Sequence, residues 1–183
     1  MKFPNIVVNG SPLGVVDVRD MLRRSTITWA DMKWIRQAWR GPILMKGVIT
    51  GDDARRSLDE GAEGVIVSNH GGRQLDNSSA TLRALPEVLD ALGGRGEVLV
   101  DGGVRRGSDV VKALSLGAAA CLIARPHLWG LAVAGEAGVS RVLDILRREL
   151  DRALGLMGIT RLADLGPGCL RRVRESLPPD RTR

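Results

Sequence analysis

The sequence predicts an α/β fold in which four parallel β-strands alternate with helices as one half of a TIM (β/α)8 barrel. Three observations lead there. Short apolar runs recur at Ile43-Leu44-Met45, Gly64-Val65-Ile66-Val67, Val98-Leu99-Val100 and Ala120-Cys121-Leu122-Ile123, with amphipathic stretches between them. Runs of this length alternating with helical stretches are the pattern of buried parallel strands in βα units. Each run also leads into a polar residue able to do chemistry: Lys46, then Ser68 with His70, then Asp101, then Arg125. Barrels gather a site from the C-terminal ends of many successive strands, whereas a doubly wound sheet concentrates it at one switch point. A complete barrel needs eight strands and typically ~250 residues, whereas four strands are visible here in 183 residues.

The elements follow in order. Residues 1–27 are mixed, with turn signals at Asn9-Gly10-Ser11-Pro12 and a short helical piece near 16–24. Thr28 has the character of an N-cap for a helix over 29–39. Trp29, Trp34 and Trp39 are spaced by five, so they form no single helical stripe and are expected in the core or an interface. Helices are expected over 51–60, 79–92 and 107–116, each between two apolar runs. A longer one is expected over 139–157, with Val139, Val142, Leu143, Leu146 and Leu150 on one face. Residues 166–183 form a basic tail.

Composition narrows the function classes. Hydrophobic residues make up 44% and charged residues 26%, as in ordinary globular domains. No apolar run reaches the length of a membrane span, and the N-terminus has no signal-peptide core. A cytoplasmic location is therefore expected. Cys121 lies in an apolar run and Cys169 in a Gly/Pro-rich turn, neither with the neighbours of a zinc or redox pair. The net charge of +6 comes from 23 Arg and 4 Lys, and half of the excess lies in 171–183. No nucleic-acid module or stacking aromatics accompany it, so a solvated tail is expected and nucleic acid is not an expected partner.

The candidate chemistry sits after the strands. His70 lies in a glycine-flanked loop at a strand end, where an imidazole serves as a general base or simply bonds backbone. Gly71 and Gly72 permit close backbone approach, and Arg73 offers a planar fork for a carboxylate. A base three residues from a carboxylate clamp suits oxidation of a 2-hydroxy acid. Asp101-Gly102-Gly103-Val104-Arg105-Arg106-Gly107 precedes a helix, and Ala124-Arg125-Pro126 ends the fourth strand. Glycines, arginines and a helix N-terminus make an anion site, and barrels bind phosphate with the loops after their last two strands. The alternative is a tight βα turn with solvated arginines. Lys46 ends an apolar run and faces an anion or ring carbonyl, or else snorkels to solvent. His127, beside Trp129, is read as a surface or packing residue.

Ser68-Asn69-His70-Gly71-Gly72-Arg73-Gln74-Leu75-Asp76 resembles the active-site signature of the FMN-dependent α-hydroxy-acid dehydrogenases and oxidases. Trp29-Ala30-Asp31, Lys46-Gly47, Asp101 to Gly107 and Arg125-Pro126 support the resemblance in order along the chain. It spans about residues 28–165 and places this chain in the C-terminal half of the family's barrel. It implies FMN as cofactor and a small 2-hydroxy acid as substrate. It implies His70 as base, Arg73 as carboxylate clamp, and Lys46 and Ser68 against the flavin. It further implies that Asp101, Gly102, Gly103, Arg105, Ala124 and Arg125 hold the ribityl chain and phosphate. Ala124 departs from the family's glycine, which matters if that position needs positive φ. The family supplies tyrosines at its substrate, and this chain has none. Residues 1–27 are expected to be a remnant of the connection after the fourth strand, a segment that sometimes associates with membranes. The expected partner is a complementary N-terminal half barrel or a second copy of the chain.

Overall fold

The computed structural model describes residues 2–8, 10–14, 20 and 27–171. The helix expected near 16–24 and the basic stretch after 171 lie outside these residues. The chain divides into two compact units, Met1–Gly41 and Pro42–Arg183.

The first unit contains an antiparallel pair, β1 (Lys2–Val8) and β2 (Ser11–Gly14), joined at the predicted turn. Helix α1 runs over Asp31–Ala38. Thr28 does not sit directly at its N-cap. Instead Asp31 bridges back, accepting from the Thr28 N–H at 2.7 Å and the Thr28 hydroxyl at 2.9 Å, and from Trp34 Nε1 at 3.0 Å. The Thr28 N–H bond is the largest of the contacts that hold the Asp31 carboxyl below its usual value. Trp34 and Trp39 are more than half exposed, against the expected core placement. Their helix turns Met32 inward instead.

The second unit is the βα repeat. Strands β3 (Leu44–Val48), β4 (Gly64–Val67), β5 (Glu97–Val100) and β6 (Ala120–Cys121) form one parallel sheet in sequence order. Helices α2 (Gly51–Asp59), α3 (Thr81–Leu92) and α4 (Gly107–Leu116) connect them. Val48, Val65, Val67, Val98 and Val100 face the helices and pack with Ala54, Leu85, Val88, Leu92 and Ala113. β-branched valines suit this pleated, helix-covered surface, and they fill the space between sheet and helices.

The other sheet face carries a different set. In register across the strands lie Lys46, Ile66, Leu99 and Ala120, preceded on β3 by Leu44. On this face Leu44 is 40% exposed and Leu99 half-buried, while Ile66 is buried at 8%. A sheet of four strands with one covered face and two free edges, β3 and β6, is an arc of a barrel wall.

The final helix departs from expectation. Helix α5 begins at Arg125 rather than near 139 and continues to Met157, with a break at Ala134–Gly135 where Gly135 takes φ 55°. Its first segment therefore stands directly above the end of β6. The two segments meet back to back at Gly130 and Gly138, where a Cβ on either residue would overlap the other's carbonyl oxygen. None of the described helices is long and apolar enough to cross a membrane.

Candidate active site

The loops after β4, β5 and β6 converge at the C-terminal edge of the sheet. A cavity of about 130 Å³ there is lined by His70, Arg73, Asp101, Gly102, Gly103, Arg105, Ala124 and Arg125. Eight of the ten residues singled out from sequence thus share one pocket. The other two, Lys46 and Ser68, stand just beneath it.

The lower layer is a polar knot on an apolar sheet. Lys46 Nζ lies 2.7 Å from Asp101 Oδ2 and donates to Ser68 Oγ at 3.0 Å. Ser68 is buried at 1% exposure, and its Oγ also accepts the His70 backbone N–H at 3.1 Å. One hydroxyl thereby ties the lysine of β3 to the histidine after β4. Lys46 does not simply snorkel: its charge is matched by Asp101 and held at the pocket floor.

His70 takes φ 54°, a left-handed conformation uncommon for a non-glycine residue. Gly71 and Gly72 follow at φ 70° and 72°, and the turn closes with the Gly72 N–H donating to the Asn69 carbonyl at 3.0 Å. Neither imidazole nitrogen has a hydrogen-bond partner among the described residues. Arg73 is exposed at the same pocket and has no ion-pair partner among them.

The anion-binding expectation is redistributed. The N-terminus of α4 is already occupied by carboxylates. Glu149 of α5 accepts from Arg106 Nε at 2.8 and 2.9 Å and from the Gly107 N–H at 3.0 Å. Asp109 accepts from the Arg105 and Arg106 N–H groups, each at 3.1 Å. Arg106 is thus a structural clamp. The donors that remain are the Arg105 and Arg125 side chains, the Gly102–Gly103 backbone and the N-terminus of α5. Arg105 lies 6.0 Å over the Trp129 ring, a cation–π distance. The Arg125 guanidinium passes Gly71, where an added Cβ would sit 3.5 Å from it. Ala124 has φ −131°, so the position does not take the left-handed backbone that would call for glycine.

A second cavity of about 310 Å³ lies beyond Gly102 and Gly103, lined also by Asn69, Thr81, Asp109 and Arg125. Each pocket holds one carboxylate, Asp109 in the larger and Asp101 in the smaller. Asp101 is paired with Lys46, and the smaller pocket adds Arg73 and Arg105, which makes it the better place for a phosphate. Its donor set fits FMN. Two guanidinium groups and a helix N-terminus suit the phosphate dianion. Gly103, at φ 84° with open space where a Cβ would stand, lets the ligand approach the backbone. Asp101 and Lys46 offer an acceptor and a cation beside them. No group of three or more His, Cys, Asp or Glu able to hold a metal occurs among the described residues.

The carboxylate clamp on α4 makes a pH-dependent contribution. The Arg106 side-chain bonds, followed by the Gly107 N–H, hold Glu149 below its usual 4.5. Burial raises Asp109, but the Arg105, Lys112 and Arg106 bonds outweigh it and leave that carboxyl lowered too. A folded value below the unfolded one gives stability that is complete above the unfolded value and is lost as pH falls through the folded one. Glu149→Gln should therefore flatten the loss of stability below about pH 4.5, as read from urea midpoints across an acid series. An unchanged acid limb removes Glu149 from that role.

Sequence reading alone did not reveal the parts that hold this site together. Glu149 and Asp109 cap α4, Gly130 and Gly138 seat α5, and Thr81 donates to the Gly102 carbonyl at 3.1 Å. Asp109, three residues after Arg106, carried a capping-box signal. Glu149 lies 42 residues from Gly107 and carried none.

Taken together, strand-end loops, a cationic pocket after the last two strands of the sheet and an imidazole beside it form one side of a (β/α) barrel with its strand ends gathered around an anion-sized pocket. Comparison with known proteins makes this specific. The family model described as FMN-dependent dehydrogenase matches residues 8–172, and the chain belongs to that family. It is 52% identical over 139 residues to an L-lactate oxidase of Nostoc sp., covering 76% of this chain and 38% of that protein. It is 54% identical over 140 residues to a pre-mycofactocin synthase of Mycolicibacterium smegmatis, covering 76% and 35%. Among solved structures, a mandelate oxidase with (S)-4-hydroxymandelic acid superposes with a TM-score of 0.76 at 44% identity, over 81% of this chain and 42% of the other. The chain spans well under half the length of the relatives it matches.

Proposed function

We propose that this chain forms the FMN-phosphate and base-bearing half of an enzyme that oxidises an L-2-hydroxy acid to a 2-oxo acid. The observation that carries the reading is one pocket in which Arg73, Arg105 and Arg125 lack ion-pair partners among the described residues and His70 keeps both ring nitrogens free. Such a pocket calls for two anions: a phosphate and a substrate carboxylate.

The roles divide by position. Arg105, Arg125, the α5 N-terminus and the Gly102–Gly103 backbone hold the phosphate. Asp101 accepts from ribityl hydroxyls, and Lys46 and Ser68 stand against the ring. Arg73 clamps the substrate carboxylate and so fixes which carbon faces the cofactor. Oxidation removes two electrons and two protons from the alcohol. One proton passes to an imidazole nitrogen of His70. The other leaves with the electron pair to the two-electron acceptor that bound FMN would supply. The neutral ring becomes an imidazolium beside a carboxylate substrate, an arrangement that stabilises the developing charge.

The open sheet face supports completion by the remaining barrel strands, carried on a longer form of the chain or on a separate one. Leu44, Leu99 and Ala120, which remain exposed or half-buried on that face, are the surface such strands would cover. Residues 1–27 act as connection and 166–183 as tail in this reading. The test is to express the chain with the N-terminal segment of an L-lactate oxidase relative and add FMN. Visible flavin absorbance that bleaches with lactate, glycolate or mandelate is expected. Flavin that binds in the completed barrel but is reduced by none of a broad set of 2-hydroxy acids would overturn the reading.

A further inference from the structure

We propose that Gly47 is a positioning residue for His70: the glycine bulge of β3 is the seat that sets the imidazole. This rests on His70 being the base. The pairing of β3 with β4 slips between Lys46 and Val48, and Gly47 takes φ 102° in that slip. A Cβ built there would lie 2.8 Å from His70 Cε1, 3.6 Å from Nδ1 and 3.7 Å from Nε2. The ring therefore points its Cε1 corner at the glycine, with one nitrogen on either side.

Three features aim it there. The left-handed backbone of His70, at φ 54°, turns the side chain back toward β3. The Ser68 hydroxyl fixes the His70 N–H, and the same hydroxyl accepts from Lys46, the residue before Gly47. Both ends of the contact are thus anchored on one buried serine. The absence of a side chain at 47 does two jobs. It permits the slipped strand, and it leaves room for the ring so that neither nitrogen is pressed against protein and both stay open to substrate. A left-handed residue at a functional site stores strain only if its surroundings hold it, and the close floor at Gly47 is what holds this one.

The test separates the seat from the strand slip. Alanine at 47 is strained by its positive φ whatever His70 does, so stability alone decides nothing. A double-mutant cycle cancels that common term. Gly47→Ala should lower the folding equilibrium constant roughly tenfold more in the wild-type chain than in a His70→Ala background, because the methyl meets the ring only in the former. Equal losses in both backgrounds would overturn the seat. A direct reading does not depend on a Gly47 variant folding. The chain has two histidines, so His127→Asn assigns the His70 ring signals by NMR. A nuclear Overhauser contact between His70 Hε1 and the Gly47 Hα protons is expected, and its absence in the folded chain refutes the proposal. In Gly47→Ala the His70 ring signals shift while those of His127 do not. These readouts involve neither flavin nor substrate. They can stand while the base assignment falls, or the reverse.

Discussion

In the completed, flavin-loaded barrel, His70→Ala should keep FMN bound and slow its reduction by a 2-hydroxy acid about 10²- to 10⁴-fold, the range of a lost general base. The flavin stays because the groups proposed to anchor it lie on other elements: Arg105 after β5 and Arg125 at the start of α5. The backbone N–H of residue 70 that bonds Ser68 is retained in any substitution except proline. Alanine at φ 54° adds backbone strain of about 1 kcal/mol, so His70→Asn is the cleaner companion, because asparagine tolerates the left-handed region. The two variants should lose rate alike. Stopped-flow bleaching of the flavin measures the rate, and the visible spectrum before mixing measures cofactor retention. His127→Asn, at a half-buried position of α5 that does not line the pocket, should leave both unchanged. A His70 variant that reduces flavin at the parent rate removes the base assignment and leaves the phosphate site untouched.

The second large effect is expected far from the chemistry. Gly138→Ala should destabilise the fold by about 3 kcal/mol, at the upper end for overpacking, and weaken FMN binding at the same time. The methyl would fall on the Gly130 carbonyl oxygen, which is backbone and has no rotamer with which to yield. The two segments of α5 must move apart, and the first of them carries Arg125 and the helix N-terminus proposed to hold the phosphate. A shift near 1 Å at such a position is enough to cost about 10²-fold in function. Gly155→Ala is the control. It lies in the same helix with nothing near its Cβ position, so alanine should stabilise by about 0.5–1 kcal/mol through lower backbone entropy in the unfolded chain. Urea unfolding and FMN fluorescence titration of the pair give both quantities. Equal behaviour of the two variants would show that the back-to-back contact does not seat the helix.

The same contrast marks what could be read along the chain. Four strands and three connecting helices were plain because each buries one face, and burial imprints a local period on the sequence. Gly64 to Val67 and the stretch from Thr81 to Leu92 are where expected. The start of α5 was not, because its first segment begins at Arg125-Pro126 and breaks at Ala134–Gly135, so no continuous stripe announces it. Trp34 and Trp39 were expected in the core or an interface, and their exposure removes the core but not the interface.

By itself the sequence determined the chemistry present and the order in which the strands deliver it: imidazole and clamp after β4, carboxylate and glycines after β5, arginine after β6. These are local facts, set by residue type and by position relative to a strand end. Only the tertiary structure decided which donors are free. It assigned Arg106 and the α4 N-terminus to Glu149, left Arg105 and Arg125 for an anion, and paired Lys46 with Asp101. It also set Gly47 under His70 and Gly138 against Gly130. Those outcomes depend on contacts between segments distant in the chain. Their only requirement is that two backbones or two charges arrive at the same place, and that leaves no periodic trace in either segment alone.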